Sequence, residues 1–81
     1  MIWSLIEEAG KILLVKDGRV QKASQLWDRN LARKNPLLLT PAMFETAMSG
    51  VKRKLSDLGD GPSELEIAAL IKQLRACINN A

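Results

Sequence analysis

The sequence predicts an all-α protein, a small bundle of about four helices that forms a single domain over residues 1–81. Apolar residues recur three and four positions apart in both halves of the chain. Residues that start and stop helices flank the two C-terminal segments. The composition, 47% hydrophobic and 26% charged, is that of a folded chain, and 81 residues suffice for one core. We place the helices at about 2–16, 20–34, 41–58 and 64–78.

The first predicted helix follows an apolar stripe along residues 2–16. Its members are Ile2, Leu5, Ile6, Ala9 and Leu13. The stretch also fits an alternative, because residues 12–20 resemble two short strands around an Asp-Gly turn at positions 17 and 18. We favour the helix, since the stripe begins ten residues before the first of these strands. A two-stranded hairpin alone among helices would be only marginally stable.

The second predicted helix covers residues 20–34. Val20, Ala23, Trp27 and Leu31 form its apolar face. It has to end near residue 34, because Pro36 disfavours helical backbone at the residue before it.

The third and fourth helices have the clearest boundaries. Thr40 and Pro41 suit the start of the third helix, and Gly59 is expected to end it in the left-handed conformation. Ser63 and Glu66 form a capping box at the start of the fourth. The centres of the apolar stripes predict a core of Trp27, Phe44, Met48, Val51, Leu55, Ile67, Leu70, Ile71 and Leu74.

The composition argues against catalysis and against metal binding. The chain has no histidine, no tyrosine and a single cysteine, so it has no imidazole for a metal or for proton transfer near neutral pH. A carboxylate or lysine would need a deep apolar pocket to act as a general base, and a small domain has little volume for one. We therefore predict a non-enzymatic protein with no cofactor, no metal site and no small-molecule substrate.

The same sequence indicates a cytoplasmic setting without a membrane segment. Cys77 alone cannot form an internal disulfide, which fits a reducing compartment. The N-terminal residues have no basic segment before an apolar stretch, as a signal peptide would. The longest apolar run, Ile67 to Ile71, is five residues, far short of a membrane span.

Positive charge is concentrated in the second predicted helix. On helical geometry Arg19, Lys22, Arg29 and Arg33 fall within a sector of about 80°. Residues 11–34 contain seven basic and two acidic side chains, a net charge of +5 against +3 for the whole chain. Such a stripe is consistent with contacts to nucleic-acid phosphates or to an acidic protein surface. A plain solvated helix face explains it as well, because lysine and arginine are good helix formers.

Apolar residues outside the predicted core indicate an interface. A bundle this small cannot bury every apolar side chain, and exposed apolar patches often mark binding surfaces. The candidate interface residues are Trp3, Leu14, Leu26, Leu37, Leu38 and Leu39. The leading hypothesis is therefore an adaptor or regulatory module that binds a protein partner or itself through an apolar helical surface. The alternative is a nucleic-acid-binding protein that uses the basic stripe.

Overall fold

In the computed structural model the chain is a mixed α/β protein, described over residues 2–35 and 40–79. Within those residues the order is three strands followed by three helices. The elements are β1 (Trp3–Glu8), β2 (Lys11–Lys16), β3 (Arg19–Asp28), α1 (Arg29–Lys34), α2 (Pro41–Ser56) and α3 (Glu64–Asn79). The prediction of an all-α bundle is therefore wrong. The difference lies entirely in the first 28 residues.

Two tight turns fold the first 28 residues into a sheet. Ala9 and Gly10 connect β1 to β2 with φ of 52° and 80°, and Asp17 and Gly18 connect β2 to β3 with φ of 51° and 81°. Positive φ at both central residues is what a type I′ hairpin turn requires, and its twist matches that of the strands. The hairpin at Asp17-Gly18, considered as the alternative, is thus the conformation present.

A third strand explains why this hairpin is stable. Two strands alone would be only marginally stable. Here β1 pairs with β2 along its whole length, and the strand order in the sheet is β1-β2-β3. The backbone of Ile2 extends this pairing, because its N–H donates to Asp17 Oδ1 at 2.7 Å and its carbonyl accepts from Asp17 N at 2.8 Å. The supposed helical stripe of residues 2–13 is therefore divided between two strands.

Residues opposite one another in the β1–β2 pair share a face of the sheet. The inner face, which packs on the helices, carries the pairs Trp3–Lys16, Leu5–Leu14 and Glu7–Ile12. The outer face carries the pairs Ser4–Val15, Ile6–Leu13 and Glu8–Lys11. Val20 of β3 lies opposite Val15 and so continues the outer face. Between β2 and β3 the register shifts twice, so β3 is bulged.

The second predicted helix is divided in the structure between β3 and α1. Its supposed apolar face is not buried as a unit, since Val20 is 51% and Leu31 57% exposed. Leu26 and Trp27, which are adjacent, are both buried. Pairing with β2 places Leu26 and Trp27 in the core between the sheet and the helices. The stabilisation from that burial outweighs the segment's helical periodicity. The helix begins only at Arg29, and the carboxylate of Asp28, its N-cap, accepts hydrogen bonds from the first turn of α1.

The helices α2 and α3 agree with the sequence prediction. Ser63 N donates to Glu66 Oε1 at 3.0 Å and Glu66 N donates to Ser63 Oγ at 3.3 Å, which is the predicted capping box. Pro41 opens α2 as expected. Gly59 is not the left-handed stop, because α2 ends earlier, with Asp57 in right-handed helical conformation as its C-cap.

The core lies between the inner face of the sheet and the helices. Trp27 meets Phe44 edge to face, with ring centroids 5.8 Å apart. Of the predicted core, Phe44 and Ile71 are only partly buried, and the other seven residues are buried. The buried cluster consists of Ile12, Leu14, Leu26, Trp27, Ala32, Met48, Val51, Leu55, Ile67, Leu70 and Leu74.

Candidate functional site

The outward side of the sheet carries a row of apolar side chains. We call Ile2, Ile6, Leu13, Val15 and Val20 the outer sheet face. Three of them are well exposed, at 74% for Ile2, 43% for Ile6 and 51% for Val20. Leu13 is half-buried, and Val15, at 7%, is buried at the centre of the row yet stands apart from the main core cluster. Isolated exposed apolar residues are ordinary, but a contiguous row is typical of a binding surface.

The described side chains of the outer sheet face have no excess of positive charge. On this side of β1 and β2 the ionisable residues are Glu8 and Lys11, which lie directly opposite each other at the end next to the Ala9-Gly10 turn. Opposite charges at that spacing offset each other. The remaining outward residue of β1, Ser4, is neutral, and β3 adds Gln25 opposite Leu13 and Asp28 opposite Lys11. Although the chain has a net charge of +3, the described side chains of this face are mainly apolar and include no excess of cations.

The predicted interface residues are found elsewhere. Leu14 and Leu26 are 1% and 8% exposed and belong to the core, and Trp3 is partly buried against it. Leu37, Leu38 and Leu39 lie outside the described residues. The prediction of these six residues depends on their position outside the apolar stripes of predicted helices or in a connector. For Trp3, Leu14 and Leu26 that reason fails, because each lies in a strand. Strand alternation, which sorts Leu13 and Leu14 onto opposite faces, would have identified the outer row instead.

The structure does bring Trp3, Leu14 and Leu26 together. They line one cavity of about 370 Å³ between the inner face of the sheet, the end of α2 and the α2–α3 loop. We call it the Trp3 cavity. Its other lining residues are Lys16, Gln21, Lys54, Leu55, Leu58, Gly59, Asp60 and Gly61.

The basic stripe is absent, because no single helix carries its four residues. Arg19 and Lys22 lie in β3, whereas Arg29 and Arg33 lie in α1. The periodicity that grouped them applied to a helix over 20–34 that does not form. Arg19 and Arg33 are exposed.

Arg29 has a structural role that the sequence analysis missed. Its side chain is only 13% exposed and forms an ion pair with Glu7, with Nε 2.7 Å from Oε1. Its guanidinium also donates to the carbonyl oxygens of Cys77 and Ile78 near the end of α3. A cation there satisfies carbonyls that lack helical partners and suits the negative end of the helix. Arg29 thereby joins β1, α1 and α3.

Two further polar contacts stabilise the helices. Arg75 binds Glu45 through two hydrogen bonds of 2.8 Å. These bonds to Arg75 lower the pKa of the Glu45 carboxyl and raise the pKa of the guanidinium. Hydrogen bonds from the backbone and the hydroxyl of Ser63 lower the pKa of Glu66. Each of the three shifted groups, Glu45, Glu66 and Arg75, has a local structural partner, so these pKa shifts do not indicate catalysis.

Comparison with known proteins assigns neither a family nor a function to the chain. No protein-family model, no curated protein and no solved structure matches the chain. Among residues 2–35 and 40–79, no group of three or more potential ligands from histidine, cysteine, aspartate and glutamate is placed to hold a metal ion. No helix of that part of the chain is both long enough and apolar enough to cross a membrane.

Proposed function

We propose that this chain is a non-enzymatic interaction module and that its outer sheet face binds the same face of a second copy. The observation that carries the proposal is the contiguous apolar row on the side of the sheet opposite the helices. A sheet with apolar residues on both faces gains stability when both are covered. The chain's own helices cover the inner face, and a second copy would cover the outer one.

The chemistry of the outer sheet face favours a second copy over a charged partner. A nucleic acid or an acidic protein would need an excess of cations on the surface it contacts, whereas Lys11 lies between the acidic residues Glu8 and Asp28. A twofold dimer uses the same patch on both chains, and a mainly apolar patch with both signs of charge at one end can meet its copy. Elsewhere the net positive charge disfavours self-association. A cytoplasmic location, supported by the single Cys77, is part of this proposal.

Sedimentation equilibrium tests the proposal. The wild-type chain should have the mass of a dimer at micromolar concentration. Ile6→Lys and Val20→Lys should each give a monomer, because a lysine at an apolar contact is desolvated without a partner. Leu65→Lys is the matched control, since Leu65 of α3 is 86% exposed and is not part of the sheet. A monomeric wild type, or equal dissociation by Leu65→Lys, would contradict the proposal.

Nucleic-acid binding is the weaker candidate function. It now depends on exposed cations such as Arg19 and Arg33, which form no ion pair with another described residue. If these residues contact phosphates, Arg19→Glu with Arg33→Glu should abolish binding to DNA or RNA at about 50 mM salt. Absence of wild-type binding under those conditions would remove this candidate.

A further inference from the structure

The Trp3 cavity has the form of a small-molecule site. Its floor is made by Leu14 and Leu55, each 1% exposed, and by Leu26, which is 8% exposed. The indole of Trp3 forms one wall and the α2–α3 loop from Leu58 to Gly61 forms another. A volume of about 370 Å³ lies at the lower end of the range for ligand pockets. The interior therefore suits one compact apolar group.

Two ammonium groups belong to the lining of this cavity. Lys16 Nζ lies 5.4 Å from the centroid of the Trp3 ring, and Lys54 Nζ donates to the carbonyl of Gln25 at 2.9 Å. Neither lysine forms an ion pair with a carboxylate of the described residues. Asp60 is the acidic residue of the lining, so the cavity has one more positive than negative group.

We infer that the Trp3 cavity binds a small amphipathic carboxylate, a single carboxyl group on a compact apolar body. The apolar body would fill the space between Trp3 and the leucine floor, where it gains from burial. The carboxylate would lie at the lysines, whose hydrogen bonds to an anion are stronger than those to a neutral group. Burying an apolar cation would instead place like charges together.

This inference is independent of the proposed dimer. The cavity lies on the inner side of the sheet, whereas the outer sheet face is on the opposite side. A chain that stays monomeric can still bind the carboxylate, and a dimer can fail to bind it. The ligand is a bound effector in this proposal, since the cavity contains no histidine, cysteine or pair of carboxylates for catalysis.

Titration with octanoate, followed by ¹H–¹⁵N NMR of the full chain, tests the inference. The two tryptophans provide the site readout, because Trp3 lines the cavity and Trp27 does not. The indole N–H signal of Trp3 should shift as octanoate is added and reach a limit when the cavity is saturated. The signal of Trp27 should move little. Octanamide, the neutral analogue, should bind about tenfold more weakly because it lacks the charge-assisted hydrogen bonds. Equal affinity for both probes, or no shift of Trp3, would overturn the inference.

Lysine variants locate the carboxylate. Lys16→Gln with Lys54→Gln should weaken octanoate binding about tenfold and leave octanamide binding unchanged. Lys72→Gln, on the exposed side of α3, is the matched control and should bind octanoate as the wild type does. Unchanged affinity in the double variant would show that the lysines do not hold the anion and would overturn the inference. So would equal weakening by Lys72→Gln.

Discussion

The two faces of the sheet use alternate residues of the same strands and have different environments. On the inner face Ile12 and Leu14 are each 1% exposed beneath the helices. On the outer face Ile6 and Val20 are 43% and 51% exposed. Both faces carry apolar residues, whereas a sheet that faces water on one side usually alternates apolar with polar. The difference shows that the strands have one more apolar surface than the chain's own helices cover.

The largest difference in stability between two variants should come from truncating one residue on each face of the sheet. Leu14→Ala should destabilise the fold by about 2–5 kcal/mol, because it leaves a cavity in the core. Ile6→Ala should change stability by no more than about 0.5 kcal/mol in a sample dilute enough to be monomeric. Urea denaturation of both variants measures the difference. Similar losses for the two would mean that Ile6 is part of the core and that the two faces are not distinct.

A second test concerns how the inner face is held against α3. Arg29→Ala should cost about 1.5–3 kcal/mol, because it removes charge-assisted hydrogen bonds to Glu7 and to the carbonyls near the end of α3. Arg33→Ala, in the same helix but exposed, should stay within about 0.5 kcal/mol. Thermal denaturation distinguishes them. Equal effects would contradict the structural role assigned to Arg29.

A third test addresses the outer sheet face through mass action. If native chains form a dimer, the free energy of unfolding should rise with protein concentration. The expected increase is roughly 0.7 kcal per mole of chain for each tenfold increase in concentration. Ile6→Lys should remove this dependence while folding normally at low concentration. Urea midpoints over a hundredfold concentration range measure it. A wild-type midpoint that does not change with concentration would show that no dimer contributes to stability.

The smallest effect is expected from pH, acting on the helices that cover the inner face. The pKa values of Glu45 and Glu66 are lowered in the folded chain, so each contributes stability above its unfolded pKa. That stability is lost as pH falls through the lowered folded values. Replacing both residues with glutamine should reduce the loss of stability on acidification. If the double variant loses stability on acidification as steeply as the wild type does, these contacts do not contribute to the stability of the fold.

The helical hairpin could be predicted from sequence because its signals are local and agree. In α2 and α3 the apolar spacing, Pro41 and the Ser63–Glu66 box all indicate the same elements. Phe44 and Ile71 are the predicted core residues that remain only partly buried.

The sheet could not be predicted in the same way because β1 and β2 are only six residues long and carry apolar residues on both faces. In such a segment, helical spacing arises by chance, as it does for Ile2, Leu5 and Ile6. The Asp17-Gly18 turn was visible, but Ala9-Gly10 was not, because alanine seldom adopts positive φ. Two glycines eight positions apart, at 10 and 18, were the signal that could have defined both turns of the sheet.

Intermolecular NOEs test the central claim most directly. A mixed sample of ¹³C-labelled and unlabelled chains gives contacts between the two copies in a filtered NOE experiment. We expect intermolecular contacts among the methyl groups of Ile6, Leu13 and Val20, and none from Leu65 of α3. Contacts confined to the helices, or a wild-type sample without intermolecular contacts at millimolar concentration, would contradict pairing through the outer sheet face.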